Sequence, residues 1–275
     1  MTDTSDFEKM EQDGWADPAI AKGYATAFDT AARVVAERLA DAVQAGRQTR
    51  ALDLCSGHGV VAATLVARGA TVTGLDFSAP MIALAQAAVP KASFVQGDAM
   101  AMEFADHSFD VVTIGFGVPH FPDPARGLAE AARVLKPGGT IAFSIWHGKG
   151  SAGSFGWLFD AVGRLGDPSV TLPAGPDAHI LVDRAIAEPM VHNAGFADMQ
   201  ISEVASELWL RAPEDLFDTF DQGAVRAASL LSGQSAARRD AIRADLAAKV
   251  RAKGTAHNGG YLVPAPSVVI SATRR

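Results

Sequence analysis

"ALDLCSGHGVVAATLVARGATVTGLDFS", Ala51 to Ser78, decides how the rest of the chain is read. An apolar run, Ala51–Leu54, enters a turn that holds Gly57 and Gly59. A helical pattern follows over Val60–Arg68, and a second apolar run, Thr71–Leu75, ends at Asp76. The order is strand, tight turn, helix, strand. "GHGVVA" fits the G-x-G-x-x-A form of a dinucleotide fingerprint. Asp76 stands 19 residues beyond Gly57, close to the ~20 expected of an acid that binds a ribose. Glycines let a backbone approach a ligand closely. The helix after Gly59 offers unpaired amides to an anionic group. On spacing alone, a nicotinamide-dependent oxidoreductase on a Rossmann sheet stays open.

The same alternation continues. Strands are expected at Ser93–Gln96, Asp110–Ile114 and Thr140–Ile145, and helices at Ala79–Val89 and Pro124–Leu135. Strands alternating with helices argue for a parallel sheet covered on both faces. The glycines of "KPGG", Lys136 to Gly139, are read as the stop of the preceding helix. The first 46 residues read as helical, with Val35, Leu39 and Val43 on one face and Gly46 as a stop. After Trp146 the rhythm breaks. Helices are expected at Phe155–Leu165 and Arg184–Asn193, and strands at Gln200–Leu210 and Ser267–Thr273. About two helices lie between those strands, one of them Ala236–Lys253, with Ile242, Leu246 and Val250 on a single face.

Composition narrows the partners. The chain has 275 residues, 48% hydrophobic and 20% charged, which calls for a large packed core. Its net charge of −7 supplies no general field toward phosphate backbones, so nucleic acid is not an expected partner. One cysteine, Cys55, allows neither an internal disulfide nor a thiolate zinc cluster, and no metal is called for. The N-terminal "MTDTSDFEKMEQDG" is polar and acidic, unlike a secretory signal, and no apolar run reaches the ~20 residues of a membrane span. A cytoplasmic chain that does not engage the membrane is the expectation. A homodimer stays open.

Three features bear on the cofactor. Asp53 precedes the glycine turn, where a negative charge suits an ammonium and a sulfonium better than a pyrophosphate. "QGDAM" puts Asp98 just beyond the third strand, placed to accept from an adenine amino group. "SFDVVTIGFGVPHFPDPARGLAEAARVLKPGG" forms one connected block leading into the fifth strand. "LDLCSGHG", "VTGLDFSAPMIALAQ", "GDAM", "FDVVTIGFGVPHFPDP" and "RVLKPGG" together resemble the class I S-adenosylmethionine-dependent methyltransferases. The similarity is greatest to the group containing the ubiquinone/menaquinone-biosynthesis enzymes and many small-molecule methyltransferases. It covers about Arg50 to Trp146. One position departs from the family's D-x-G-x-G-x-G turn, with Cys55 at the first glycine; there it reads as a small packing residue.

The resemblance implies an α/β, Rossmann-like three-layer sandwich. Its seven-stranded, mostly parallel sheet has order 3-2-1-4-5-7-6 with the last strand antiparallel, and carries helical lid insertions. One domain over 1–275 follows: a cap at 1–46, a cofactor-binding core at 50–146, and the remaining strands with lid insertions at 147–275. S-adenosylmethionine is the implied cofactor and a small molecule the implied methyl acceptor. Gly57 and Gly59 would approach the methionine part, Asp53 its ammonium, and Asp76 the ribose diol. Phe77 and Met81 would pack on the adenine, and Asp98 with the Ala99 amide would read its edge. Gly115 and Phe116 would line the donor's other side. Tyr24, with Trp15 and Phe28, would close over the cofactor. Phe155, Trp157, Phe159, Phe217 and Phe220 would line an acceptor cavity or simply pack together. His120 and His147, after the fourth and fifth strands, are candidate general bases. Asp110 begins its strand, away from the end where ligands bind, and reads as structural. A catalytically silent cofactor-binding protein remains the other alternative.

Overall fold

Short parallel strands need crossover helices, and the right-handedness of crossovers decides which face each helix takes. The computed structural model describes residues 4–148, 150–177 and 179–275. Where the sequence suggests one domain with a cap over 1–46, contacts divide the chain into two interleaved compact units. One comprises the segments Ala32–Trp146, Pro176–Val204 and Ser267–Arg275. The other comprises the residues up to Ala31, with His147–Gly175 and Ala205–Pro266.

The first unit is the sheet. Its strands are β1 (Arg50–Leu54), β2 (Thr71–Asp76), β3 (Ser93–Gln96), β4 (Phe109–Ile114), β5 (Leu135–Trp146), β6 (Phe196–Val204) and β10 (Ser267–Arg274). They are ordered β3-β2-β1-β4-β5-β10-β6. Counting these seven along the chain gives 3-2-1-4-5-7-6, the order the resemblance implies. The last strand runs antiparallel to both neighbours, with Ile270 opposite Phe143 on one side and Ile201 on the other. Helices α4 (Val60–Ala67) and α5 (Ala79–Ala88) connect strands that step one way from β1, whereas α6 (Pro124–Val134) connects strands that step the other way. With right-handed crossovers the two sets lie on opposite faces. The order reverses between β1 and β4, and the crevice for a ligand opens beyond their carboxyl ends. Leu52, Ile114, Leu128, Phe143 and Ile270 are wholly buried in the core between the layers. Helix α8 (Arg184–Asn193) packs on β6 and α6.

The second unit is mainly helical. It holds α1 (Ser5–Trp15), α2 (Pro18–Ala27), α7 (Ser154–Leu165), α9 (Asp215–Gly223), α10 (Val225–Ser232), α11 (Ala236–Lys253) and a small sheet of β7 (Glu207–Leu210), β9 (Gly260–Pro264) and β8 (Thr255–His257). Helix α3 (Asp29–Ala42) crosses the division between units and ends before Gly46, the stop expected from the sequence. The chain leaves it through left-handed Gln44. Helices α2 and α9 cross so closely that a Cβ on Gly23 would lie 2.2 Å from the Gln222 carbonyl oxygen. Phe28, Phe155 and Phe220 meet with ring centroids 5.1 to 6.4 Å apart. Ile242, Leu246 and Val250 of α11 are fully buried, and Arg239 and Arg243, which flank the same face, pair with Asp221 and Asp218 and lie over the Phe217 ring. Of the aromatic residues offered as a cavity lining, Phe155, Trp157, Phe217 and Phe220 are buried.

Three expectations are corrected. Gln200–Leu210 is not one strand: β6 ends at Val204, Ser206 bonds Ala265, and β7 pairs with β9 in the small sheet. Three helices, not two, precede β8 and β9, which alternation over so few residues did not reveal. "KPGG" is not a helix stop. Helix α6 ends at Val134 and β5 begins at once, so Lys136–Gly139 lies inside the strand. It forms an irregularity there, between the Phe109–Leu135 and Val111–Thr140 pairs, with Gly138 at φ +75°.

That bulge is tied to Asp110 at the amino end of β4. Its Oδ2 accepts the Arg50 amide at 2.8 Å and its Oδ1 accepts the Lys136 ammonium at 2.5 Å. Partial burial opposes ionisation, but the Lys136 and Arg50 contacts outweigh it and hold Asp110 below the ordinary carboxylate range. Replacing Asp110 by Ala is expected to cost about 1 kcal/mol, lowering Tm by roughly 2–4 °C in a protein of this size. A Tm within 1 °C of the parent by calorimetry would contradict this.

Candidate functional site

The carboxyl ends of β1, β2 and β4 carry most of the residues singled out from the sequence. After Leu54 the backbone turns through Cys55, at φ +57°, and Gly57, at φ +51°, into Gly59, at φ +90°. The two glycines do different work. A Cβ on Gly57 meets nothing within 4 Å, so the backbone there borders open space. A Cβ on Gly59 would press 3.2 Å from Val89 Cγ2 and 3.3 Å from Ala85, so Gly59 also admits α5. Gly59 is the N-cap of α4 and has no side chain to bond the helix's first turn. Its amides and positive end are therefore left for other partners.

Asp76 ties this turn to β2. Its Oδ2 accepts the Gly57 amide at 2.8 Å and its Oδ1 the Ser78 amide at 2.9 Å. Ser78 in turn caps α5 by accepting the Met81 amide. Burial pushes the Asp76 carboxyl up, while the Ser78 and Gly57 amides and His120 pull it back. Asp53 is wholly buried. Its Oδ1 accepts the Thr113 hydroxyl at 3.0 Å, joining the ends of β1 and β4, and its Oδ2 has no hydrogen-bond partner. Burial pushes Asp53 up to about 7, against the Thr113 hydroxyl and the Ala62 amide, with the Asp76 charge adding to the rise. The Ser56 hydroxyl, also buried, is likewise unpartnered. Cys55 is only partly buried as a residue, yet burial, aided by the Asp76, Asp53 and Asp98 charges, pushes its thiol well above 9.0. Burial thus opposes formation of the thiolate.

Beyond β3, Asp98 is exposed and its Oδ1 accepts the Met100 amide at 2.8 Å, while Ala99 is buried. Phe77 is 36% exposed, whereas Met81 is buried. After β4, Gly115 leads into Phe116, whose backbone is left-handed at φ +58°. Its ring stacks on Trp146 with centroids 3.7 Å apart, and its amide donates to Ser144 Oγ at 3.0 Å. His120 closes the short 3-10 turn Val118–His120. His147 and Tyr24 belong to the helical unit. The His147 amide donates to the Pro266 carbonyl, and the Tyr24 ring stacks on Phe28 and meets the edge of Trp15.

Four residues of this site escaped the sequence reading: Thr113, Ser144, Trp146 and Gly117. The first two carried a signal, a hydroxyl inside an otherwise apolar strand. Gly117 carried none, because its need arises from Cys55 in the turn after β1, 2.5 Å from where its Cβ would lie.

A family model described as "Methyltransferase domain" matches residues 52–143. Over this segment the chain is similar to a methyltransferase domain. Its curated relatives include the demethylmenaquinone methyltransferase of Chlorobaculum parvum. That protein is 46% identical over 107 residues, which are 38% of this chain and 44% of the relative. The chain thus matches less than half the length of such relatives. Among solved structures, a Haemonchus contortus phosphoethanolamine N-methyltransferase 2 in complex with S-adenosyl-L-methionine superposes with a TM-score of 0.60. It is 18% identical and the match covers 98% of this chain and 60% of that one. The YcgJ protein of Bacillus subtilis gives 0.57 at 19% identity, covering 87% and 97%. At such identities the methyltransferase domain and these structures share a fold.

Asp53 makes stability depend on pH. The unfolded chain releases this proton near 3.8 and the folded chain near 7. Between these values the folded state holds a proton that the unfolded state lacks, so this contribution falls as pH rises and is lost above about 7. Asp53→Asn is expected to have a higher Tm than the parent at pH 8, with the advantage shrinking toward pH 4. Thermal melts without ligand across that range test this; parallel Tm–pH curves would refute it.

Proposed function

We propose that this chain transfers the methyl group of S-adenosylmethionine to a small-molecule acceptor. The observation that carries this reading is the clustering of Asp53, Asp76 and Asp98 about the glycine turn, with a buried Asp53 oxygen that has no partner. A pyrophosphate would meet these charges unfavourably. A ligand with an ammonium and a sulfonium meets them well. The same feature disfavours the nicotinamide reading, which shares the glycine and Asp76 spacing.

The residues fit the donor as follows. Gly57 admits its methionine part beside the amino end of α4, and the Asp53 carboxylate draws its ammonium. Asp76, whose two bonded amides leave lone pairs on both oxygens, receives the ribose diol. Phe77 and Met81 flank the adenine, and Asp98 with the Ala99 amide reads its edge. Cys55 and Gly59 shape the turn, and Gly115 and Phe116 close the other side; a role for Tyr24 at the cofactor is proposed on the resemblance alone. S-adenosylmethionine supplies a methyl group already activated by its sulfonium sulfur. The chain's part is to align donor and acceptor, exclude water and accept a proton where the acceptor carries one. His147 and His120 are the proposed proton acceptors. The relatives' name, demethylmenaquinone methyltransferase, supports a small organic acceptor. The family match ends at residue 143, so the helical unit is proposed to choose that acceptor by its own residues.

Calorimetry tests the donor. S-adenosylmethionine and S-adenosylhomocysteine are expected to bind, and NAD and NADP not. At pH 7 binding of S-adenosylmethionine should release about half a proton, because Asp53 titrates near 7 and ionises beside the cation. Buffers of different ionisation enthalpy measure this, and Asp53→Asn should abolish it. Binding of the nicotinamides alone would sink the reading.

Labelled methyl transfer into a small-molecule extract tests the reaction. If either histidine is the base, its Ala variant should lose roughly 100-fold or more in kcat at saturating donor. Unchanged turnover in both variants would remove them from that role.

A further inference from the structure

Two residues other than glycine hold left-handed backbone at neighbouring strand ends: Cys55 after β1, at φ +57°, and Phe116 after β4, at φ +58°. This conformation is unfavourable for any residue with a Cβ, and a buried aromatic residue holds it only where its surroundings compel it. The two turns are also interlocked. A Cβ on Gly117 would lie 2.5 Å from Cys55 Cβ and 2.8 Å from its Sγ, so the second turn follows the contour of the first.

What compels Phe116 is visible. The parallel ladder between β4 and β5 ends at the Ile114–Phe143 pair, so the Phe116 amide lies beyond it. It donates instead to the hydroxyl of Ser144, a wholly buried residue between the equally buried Phe143 and Ile145. Packing alone gives no reason for a hydroxyl at that point. The Trp146 ring, two residues further along β5, lies parallel to the Phe116 ring within 3°. One strand therefore grips both the backbone and the side chain of the strained residue.

We propose that Ser144 is a positioning residue for the methyl donor. By accepting the Phe116 amide it fixes the turn Gly115–Gly117 against the glycine turn at Cys55, and so sets donor affinity. This rests on the functional reading above. Without the hydroxyl the amide is left buried and unpaired, and the turn has less reason to stay left-handed.

Ser144→Ala is expected to weaken S-adenosylhomocysteine binding roughly tenfold, the loss of about one hydrogen bond to a buried amide. Ser144→Thr, which keeps the hydroxyl, should restore it. A purely structural hydroxyl would lower Tm in the Ala variant and leave the Kd within twofold of the parent, overturning the proposal. A folded Thr variant as weak as the Ala variant overturns it too. Hydrogen exchange of the Phe116 amide covers the case in which neither variant folds. In the ligand-free parent this amide should exchange slowly; fast exchange refutes the contact. Failure of the parent to bind S-adenosylhomocysteine overturns the donor reading and this proposal together, whereas unchanged binding in the Ala variant overturns the proposal alone.

Discussion

A wholly buried carboxyl group with one unpaired oxygen sits where the order of the parallel strands reverses. The crossover rule fixes that place. Helices that step outward from β1 in one direction and from β4 in the other must lie on opposite faces, which opens a crevice at the strands' carboxyl ends. Asp53 occupies the rim of that crevice and is held to β4 by the Thr113 hydroxyl. An isolated buried charge is costly, so the group keeps its proton to an unusually high pH. The glycine turn, the Asp76 anchor and the left-handed residues that follow are arranged about this one unfavourable group.

The helical unit is held by different forces. Its aromatic rings meet edge and face across α2, α7 and α9, and arginines of α11 cover Phe217 while pairing with acids on α9. Glu11, almost wholly buried, accepts from Arg226 Nε and from the Trp15 indole, fastening α1 to α10. These contacts join segments far apart in the chain. Such a unit tolerates changes of contour only where compensating partners change too.

The core was legible because its signals are local. Apolar strands of four to six residues, glycines at a turn and an acid at the next strand's end are all written within a few residues of one another. The elements of Ala51–Ser78 accordingly lie within a residue of where periodicity puts them. The small sheet was not legible, since Glu207–Leu210 finds its partner Gly260–Pro264 across three helices. The site's finer parts failed for the same reason. Ser144 matters because of an amide just beyond β4, and Gly117 because of a side chain just beyond β1, and neither pairing leaves a spacing to count. "KPGG" misled in the opposite way. Its glycines do break regular structure, but they break a strand.

One feature of the sheet has a bearing on how the molecule is made. The strand β10 enters between β5 and β6 and is antiparallel to both. Until residues 267–274 arrive, β6 has no neighbour through which to join the sheet, and the edge of β5 stays open. Residues 135–146 therefore wait through the synthesis of more than a hundred others for the strand that covers them. During that interval the nascent chain exposes a long apolar edge, Ile141 to Trp146 among it, of the kind that recruits other strands. Closure of this sheet is therefore set by the order in which the ribosome delivers its strands, with β10 admitting β6 and covering β5 in one step.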